Sequence, residues 1–235
     1  MTIGSSLPKL ARKTQALGTP WPDGRALWVF GYGSLIYRVD FPVEASVFGY
    51  IKGHHRAFLQ ESHDHRGTEE SPGRVCTLVP HAEWLQLFPH HHHHQEDECS
   101  SAAGDQVHEQ VCWGMAYKVQ SGREAEVKRK LDYREKDGYT VDFVDVFADG
   151  ASGDQPVLRD VMVYVGESHN PSFAGASSLE DTAKVIARAE GPSGTNRDYL
   201  FHLCAALRHH HPQALDPYLA QLETLVKAIV ASSPL

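Results

Sequence analysis

The 235-residue chain sets 22 Lys and Arg against 30 Asp and Glu, a formal charge of −8, which offers no basic field to a phosphate backbone or an anionic membrane surface. It contains no apolar run of the roughly 18 residues that a membrane-spanning helix needs, and its length fits one domain with an extension. A small soluble metabolite is the kind of partner these properties leave.

In chain order, residues 1–25 read as a flexible N-terminal extension and 26–233 as the folded domain. Lys9, Arg12 and Lys13 come before any acid, a faint echo of an organelle transit peptide, but a plain leader is the simpler reading. Next, the apolar run Trp28-Val29-Phe30 breaks into Gly31-Tyr32-Gly33-Ser34-Leu35-Ile36. This is a strand ending in a loop, where two residues without Cβ can aim successive N–H groups into one anion-binding concavity. Taken alone, the same four letters also suit a tight turn.

Further short β-branched or aromatic runs at 47–51, 56–59, 75–79, 111–119, 141–147 and 157–165 read as strands. Val127 and Leu131 give helical spacing over 123–136, a helix that leads into Arg134-Glu135. The segment 81–110 fits neither pattern. Its core near 89–107, with His90, His91, His92, His93 and His94 followed by Gln95-Glu96-Asp97-Glu98, is too polar to bury and is expected to be a disordered insertion. Imidazoles give it adventitious affinity for divalent metals. A tract that does not fix its ligands in space makes no functional metal site, so none is expected.

The last third changes period. Ser177 with Glu180 has the form of a capping box for a helix through Ala189, and Asn196 with Asp198 opens another that carries Leu200, Leu203 and Leu207. Leu215, Leu219, Leu222, Leu225, Val226, Ile229 and Val230 trace the core face of a final helix. Strands first and helices clustered at the end predict an α+β domain, not a doubly wound sheet. The cysteines Cys76, Cys99, Cys112 and Cys204 form no C-x-x-C pair and follow no signal-type apolar core, which predicts a reducing, cytoplasmic setting. Cys76 and Cys112 alternate with apolar neighbours and read as small core residues, not nucleophiles.

Five further blocks follow the Gly31–Ile36 loop. They are Asp64-His65-Arg66-Gly67, Pro72-Gly73-Arg74-Val75, Cys112-Trp113-Gly114-Met115-Ala116-Tyr117, Tyr133-Arg134-Glu135-Lys136-Asp137-Gly138-Tyr139, and Gly191-Pro192-Ser193-Gly194-Thr195-Asn196 before Tyr199-Leu200. In this order and spacing the chain resembles the ChaC-type, glutathione-specific γ-glutamylcyclotransferases from about Leu27 to about Val230. The insertion is one departure. Another is Phe173-Ala174-Gly175-Ala176, where the family commonly shows Tyr-Leu-Gly-Pro, so a phenol and a rigid proline are missing.

The resemblance implies a small mixed β-barrel flanked by helices, and an intramolecular cyclisation that cleaves glutathione to 5-oxoproline and cysteinylglycine without a cofactor. It implies that Glu135 shuttles the proton, although spacing alone would make Glu135 a surface residue paired with Lys128, Lys130 or Arg134. Gly31, Tyr32, Gly33, Ser34, Leu35 and Ile36 become the element that binds the γ-glutamyl group. Ser34 lacks the Gly-x-Ser-x-Gly elbow of a hydrolase nucleophile.

Arg66 and Arg74 each have two open fates: a bidentate pair with a substrate carboxylate, the glycine end included, or an ion pair with Asp64 or another acid. Tyr139 is expected to line the pocket, and Gly191 to Asn196 to form a helix start built for packing. Two other functions compete: a cyclotransferase for other γ-glutamyl peptides or amines, and a non-catalytic metal-buffering or partner-binding protein.

Overall fold

The computed structural model describes residues 14–88, 110–135, 139–149, 155–166 and 168–232. Strand β1 (Trp28–Gly31) runs into a single 3₁₀ turn (Ser34–Ile36), then come β2 (Val43–Lys52), β3 (His54–Ser62), β4 (Gly73–Pro80) and helix α1 (His81–Leu87). They are followed by β5 (Val111–Val119), α2 (Glu124–Arg134), β6 (Tyr139–Val146), β7 (Leu158–Gly166) and α3 (Leu179–Arg188). The two-residue strands β8 (Glu190–Gly191) and β9 (Gly194–Thr195) lead to α4 (Asn196–His210) and α5 (Pro217–Ser232). The expected α+β class and helical final third are what the chain builds.

Five strands form one sheet in the order β2-β5-β1-β7-β6, with β1 antiparallel to β5 and parallel to β7. β1 lies in the middle, so both of its faces are covered, and this is why its sequence is a continuous apolar run instead of an alternation. Side-chain period 2 then splits the sheet residues between two cores. Phe30, Val161, Val163 and Val165 face a core shared with α3, α4 and α5, whereas Val29, Met162 and Tyr164 face one shared with Val127 and Leu131 of α2. Strands β3 and β4 form a two-stranded sheet of their own, and Trp84 of α1 packs on this hairpin beside Ala57, Leu59 and Val79.

The barrel expectation needs correction. Among the described residues the sheet is not a closed barrel: its edge strands meet at one reciprocal pair, Tyr50 with Phe147, each N–H reaching the other's carbonyl at 2.8 Å. A Cβ on Gly49 would lie 2.2 Å from the Phe147 carbonyl oxygen, so glycine permits this approach. Register shifts at Val43/Ala45 in β2 and Val144/Val146 in β6 bend the edges, and a longer ladder does not form.

Residues 14–25 also differ from expectation, since they pack instead of hanging free. Gln15 bridges to Val141, the Gly18 N–H donates to Asp132 Oδ2 at 2.9 Å, and Trp21 is buried against Phe143 with its Nε1 donating to the Arg25 carbonyl. One aromatic anchor holds a segment whose composition otherwise reads as leader. The cap of α3 falls one residue later than expected, with Ser178 Oγ accepting from the Asp181 N–H at 3.1 Å. The expected insertion near 89–107, with the tract His90 to His94, lies outside the described residues.

Candidate active site

In the loop after β1 both glycines sit where the chain approaches itself closely. Neither Gly31 nor Gly33 has a positive φ; instead, a Cβ on Gly31 would meet Leu35 Cβ at 2.5 Å, and one on Gly33 would meet Cys76 Sγ and Tyr199 Oη, both at 2.9 Å. The 3₁₀ turn closes through Ile36 N–H to the Gly33 carbonyl and Tyr37 N–H to the Ser34 carbonyl. Among the described residues no acceptor takes the N–H groups of Gly33, Ser34 and Leu35. These are the orphan donors of a short helix start. Gly33→Ala is expected to destabilise the fold by about 1–3 kcal/mol through overpacking, measured by urea denaturation; an unchanged midpoint would show that Cys76 and Tyr199 yield freely.

Opposite the turn stands the end of α2. Its last turn is fixed from below: Lys128 Nζ donates to both carboxylate oxygens of Asp132 at 2.7 and 2.8 Å, and Asp132 also accepts from Tyr164 Oη at 2.7 Å and the Gly18 N–H. Lys128 is 1 % and Asp132 9 % exposed. Glu135 caps the helix, its N–H reaching the Leu131 carbonyl at 2.9 Å. Arg134 then joins the two sides. Its Nη2 donates to Ser34 Oγ at 2.9 Å, its Nε lies 3.2 Å from Glu135 Oε1, and its Nη1 lies 3.8 Å from Asp40.

Gly31, Tyr32, Gly33, Ser34, Leu35, Arg66, Arg134, Glu135 and Tyr139 all line one cavity of about 330 Å³, a volume suited to a small molecule. Below it, Tyr32 Oη donates to the Tyr164 carbonyl at 2.8 Å, and Tyr199 Oη lies 3.0 Å from Cys76 Sγ. Burial pushes the Tyr32 and Tyr199 phenols well above their ordinary range and the Cys76 thiol up to about 11. At neutral pH the thiol is therefore protonated and a poor nucleophile.

Two expected site residues do not line the cavity. Ile36 is 4 % exposed and packs into the core with Phe30 and Tyr199. Arg74 takes the ion-pair fate, with Glu61 as its acid: Nη1 lies 3.1 Å from Glu61 Oε1. Its backbone is held by Asn196, whose Oδ1 accepts from the Arg74 N–H at 2.6 Å and whose Nδ2 donates to the Arg74 carbonyl at 2.7 Å. Arg66 lines the cavity and forms no ion pair among the described residues; its Nη1 donates to the Thr195 carbonyl at 3.0 Å.

The Gly191–Asn196 segment packs closely on the Arg66 loop, since a Cβ on Gly191 would lie 2.5 Å from the His65 carbonyl oxygen. Phe173, which stands where a phenol is expected, packs on the Trp84 cluster and is absent from the cavity lining.

Sequence reasoning missed Arg134, Tyr37, Cys76 and Tyr199 as lining residues. Arg134 and Tyr199 lay inside or beside motifs already singled out, whereas nothing but alternation marked Cys76. No described helix is long and apolar enough to cross a membrane, and no group of three or more His, Cys, Asp or Glu among the described residues could hold a metal ion.

Residues 27–229 match the family model described as ChaC-like protein. The chain is 40 % identical over 207 residues to the glutathione-specific gamma-glutamylcyclotransferase of Schizosaccharomyces pombe, covering 88 % of this chain and 94 % of that protein. It is 34 % identical to glutathione-specific gamma-glutamylcyclotransferase 1 of Homo sapiens, covering 85 % of this chain and 78 % of the human one. Among solved structures, the selenomethionine-labelled glutathione-specific γ-glutamyl cyclotransferase from yeast superposes with a TM-score of 0.71 at 30 % identity, over 86 % of this chain and 96 % of that one.

Proposed function

Because the chain belongs to the ChaC-like family, we propose that it is a glutathione-specific γ-glutamylcyclotransferase, a lyase that converts reduced glutathione to 5-oxoproline and cysteinylglycine. The observation that carries this reading is the pairing, across one cavity, of the Glu135 carboxylate with the free N–H groups of the turn at Ser34, joined by Arg134.

The amine and the carbonyl that react belong to the same substrate molecule. Holding the γ-glutamyl group bent therefore does much of the work, and good intramolecular geometries are equivalent to roughly 10⁵ M or more. Glu135 takes a proton from the α-ammonium, and the freed nitrogen forms a bond to the γ-carbonyl carbon. Charge collects on the carbonyl oxygen, where the N–H groups of Gly33, Ser34 and Leu35 meet it. As the bond to the cysteinyl nitrogen breaks, Glu135 returns its proton to that nitrogen, and the second proton of the ring nitrogen follows by the same carboxylate. The lactam thus leaves neutral with one N–H, the released amine leaves as an ammonium, and neither water nor electrons are consumed. Arg134 holds the carboxylate in place, and because Ser34 Oγ accepts from Arg134 its own O–H is left to donate into the cavity.

The free, buried thiols Cys76, Cys112 and Cys204 suit the cytoplasmic setting we assign. Metal affinity of His90 to His94 would be adventitious and outside the reaction.

The test incubates purified protein separately with reduced glutathione, γ-glutamylcysteine, γ-glutamylalanine and γ-glutamyl-lysine, each with and without a chelator, and measures 5-oxoproline by mass spectrometry. Glutathione alone is expected to turn over well, at a rate the chelator leaves unchanged. Comparable rates on γ-glutamylalanine would replace the glutathione-specific reading with the broader γ-glutamyl one. No 5-oxoproline from any substrate would favour the non-catalytic one.

A further inference from the structure

Two polar side chains on the cavity wall lack the partners their chemistry calls for. Tyr37 follows the 3₁₀ turn directly; its Oη is sealed from solvent yet has no hydrogen-bond partner among the described residues. A buried hydroxyl without a partner is a rarity that needs a reason. Arg66 is the second: a half-buried guanidinium with no carboxylate beside it among the described residues and only the Thr195 carbonyl taking one of its side-chain donors.

Both residues line the cavity and both rest on Tyr199, with the Arg66 guanidinium 5.7 Å from that ring's centre and the Tyr37 ring edge-on to it at 6.4 Å. Burial pushes the Tyr37 phenol up to about 12, with Arg66 pulling the other way. At neutral pH it therefore remains a hydrogen-bond donor. A cation and a neutral O–H donor on one wall, neither of them matched, are complementary to a carboxylate.

We infer that Tyr37 and Arg66 form the subsite for the glycyl carboxylate of glutathione, an assignment that rests on the reaction proposed above. Glutathione has two carboxylates. The one on the γ-glutamyl Cα shares its carbon with the reacting amine, so it must stay beside Glu135 and the turn at Ser34. Glu135 belongs to the end of α2, above Tyr164 and Asp132, whereas Arg66 is tied to the cap of α4 through Thr195. The distal carboxylate is the one that extends from the first group of elements to the second. A side-chain rotation of Tyr37 about its own χ angles brings its hydroxyl to that carboxylate when substrate enters, and the orphan donor is then satisfied.

The experiment compares glutathione with its C-terminal glycinamide, which keeps size and shape but removes the distal charge, on the parent protein, Tyr37→Phe and Arg66→Gln. Loss of a hydrogen bond to a charged group lowers kcat/KM roughly tenfold or more. That loss is expected for each variant on glutathione, with little change on the amide, and the parent should prefer the acid by a similar factor. Because the hydroxyl has no partner in the free protein, Tyr37→Phe should melt at the parent's temperature or higher.

Equal losses on acid and amide would assign the pair to the other carboxylate and overturn the inference, as would a parent indifferent to the amide. A lower melting temperature for Tyr37→Phe would also overturn it, by giving the hydroxyl a structural partner. If neither compound yields 5-oxoproline, the reaction itself is wrong and the subsite falls with it.

Discussion

Glu135→Gln is expected to fold as the parent does and to lose kcat by roughly 10² to 10⁴-fold, the range that a positioned general acid–base group supplies. The amide keeps the size of the side chain and an oxygen that can accept from Arg134 Nε, which lies 3.2 Å from the present carboxylate. What it cannot do is take the ammonium proton. KM should change little, because the groups proposed to hold the substrate, the N–H donors of the turn and Arg66, belong to other elements.

Glu135→Asp retains the carboxylate but withdraws it by one methylene, and a displacement of that size in a near-attack geometry costs about 10²-fold. Initial rates of 5-oxoproline release, with circular dichroism melts of the same samples, make the measurement. A Gln variant with near-normal turnover would assign the base to another residue. A Gln variant that has lost several degrees would identify Glu135 as the clamp on Arg134 and transfer the interest to that contact.

The parts of this molecule that were legible in its sequence are those decided by local chemistry. The run at Trp28–Phe30, the helical spacing of Val127 and Leu131, and the apolar stripe of α5 each report burial directly, because period and burial are one pattern. How closely the edges of the sheet approach was not legible. It depends on bulges and on a glycine, Gly49, whose only visible property is the absence of a side chain.

At the site, Gly31 and Gly33 were recognisable as special, but one reason was not legible: contact with Leu35, Cys76 and Tyr199 leaves no room for a Cβ. Arg66 and Arg74 look equivalent as loop arginines. Their difference is made by Glu61, adjacent to Arg74 across the β3–β4 ladder, and by Asn196, which arrives from a helix 122 residues away in sequence. Cross-strand register and long-range packing decide such partners, and neither is written in a motif.

The second large effect is expected beneath the site, at Asp132→Ala. Lys128 is almost fully buried, and both oxygens it contacts belong to Asp132. Removing them strands an ammonium in the core and also takes the acceptor from Tyr164 Oη and from the Gly18 N–H. Breaking a buried pair by deleting one partner costs about 3–5 kcal/mol, most of it the penalty of the charge left behind. Lys128→Met should cost less, because the remaining carboxylate keeps two donors. Lys128→Met with Asp132→Leu should recover part of the loss, since neither charge is then buried.

Urea denaturation of the three variants orders these values. A loss for Asp132→Ala below about 1 kcal/mol, the scale of an exposed pair, would show that water reaches Lys128. The same series reports on catalysis. Asp132 lies one turn before Glu135 and pins that turn to β7 and to the N-terminal segment. At a temperature where the variant is still folded, Asp132→Ala should therefore lower kcat for glutathione while leaving KM near the parent value. A fall in stability with an untouched kcat would mean that Arg134 alone suffices to hold the Glu135 carboxylate in place.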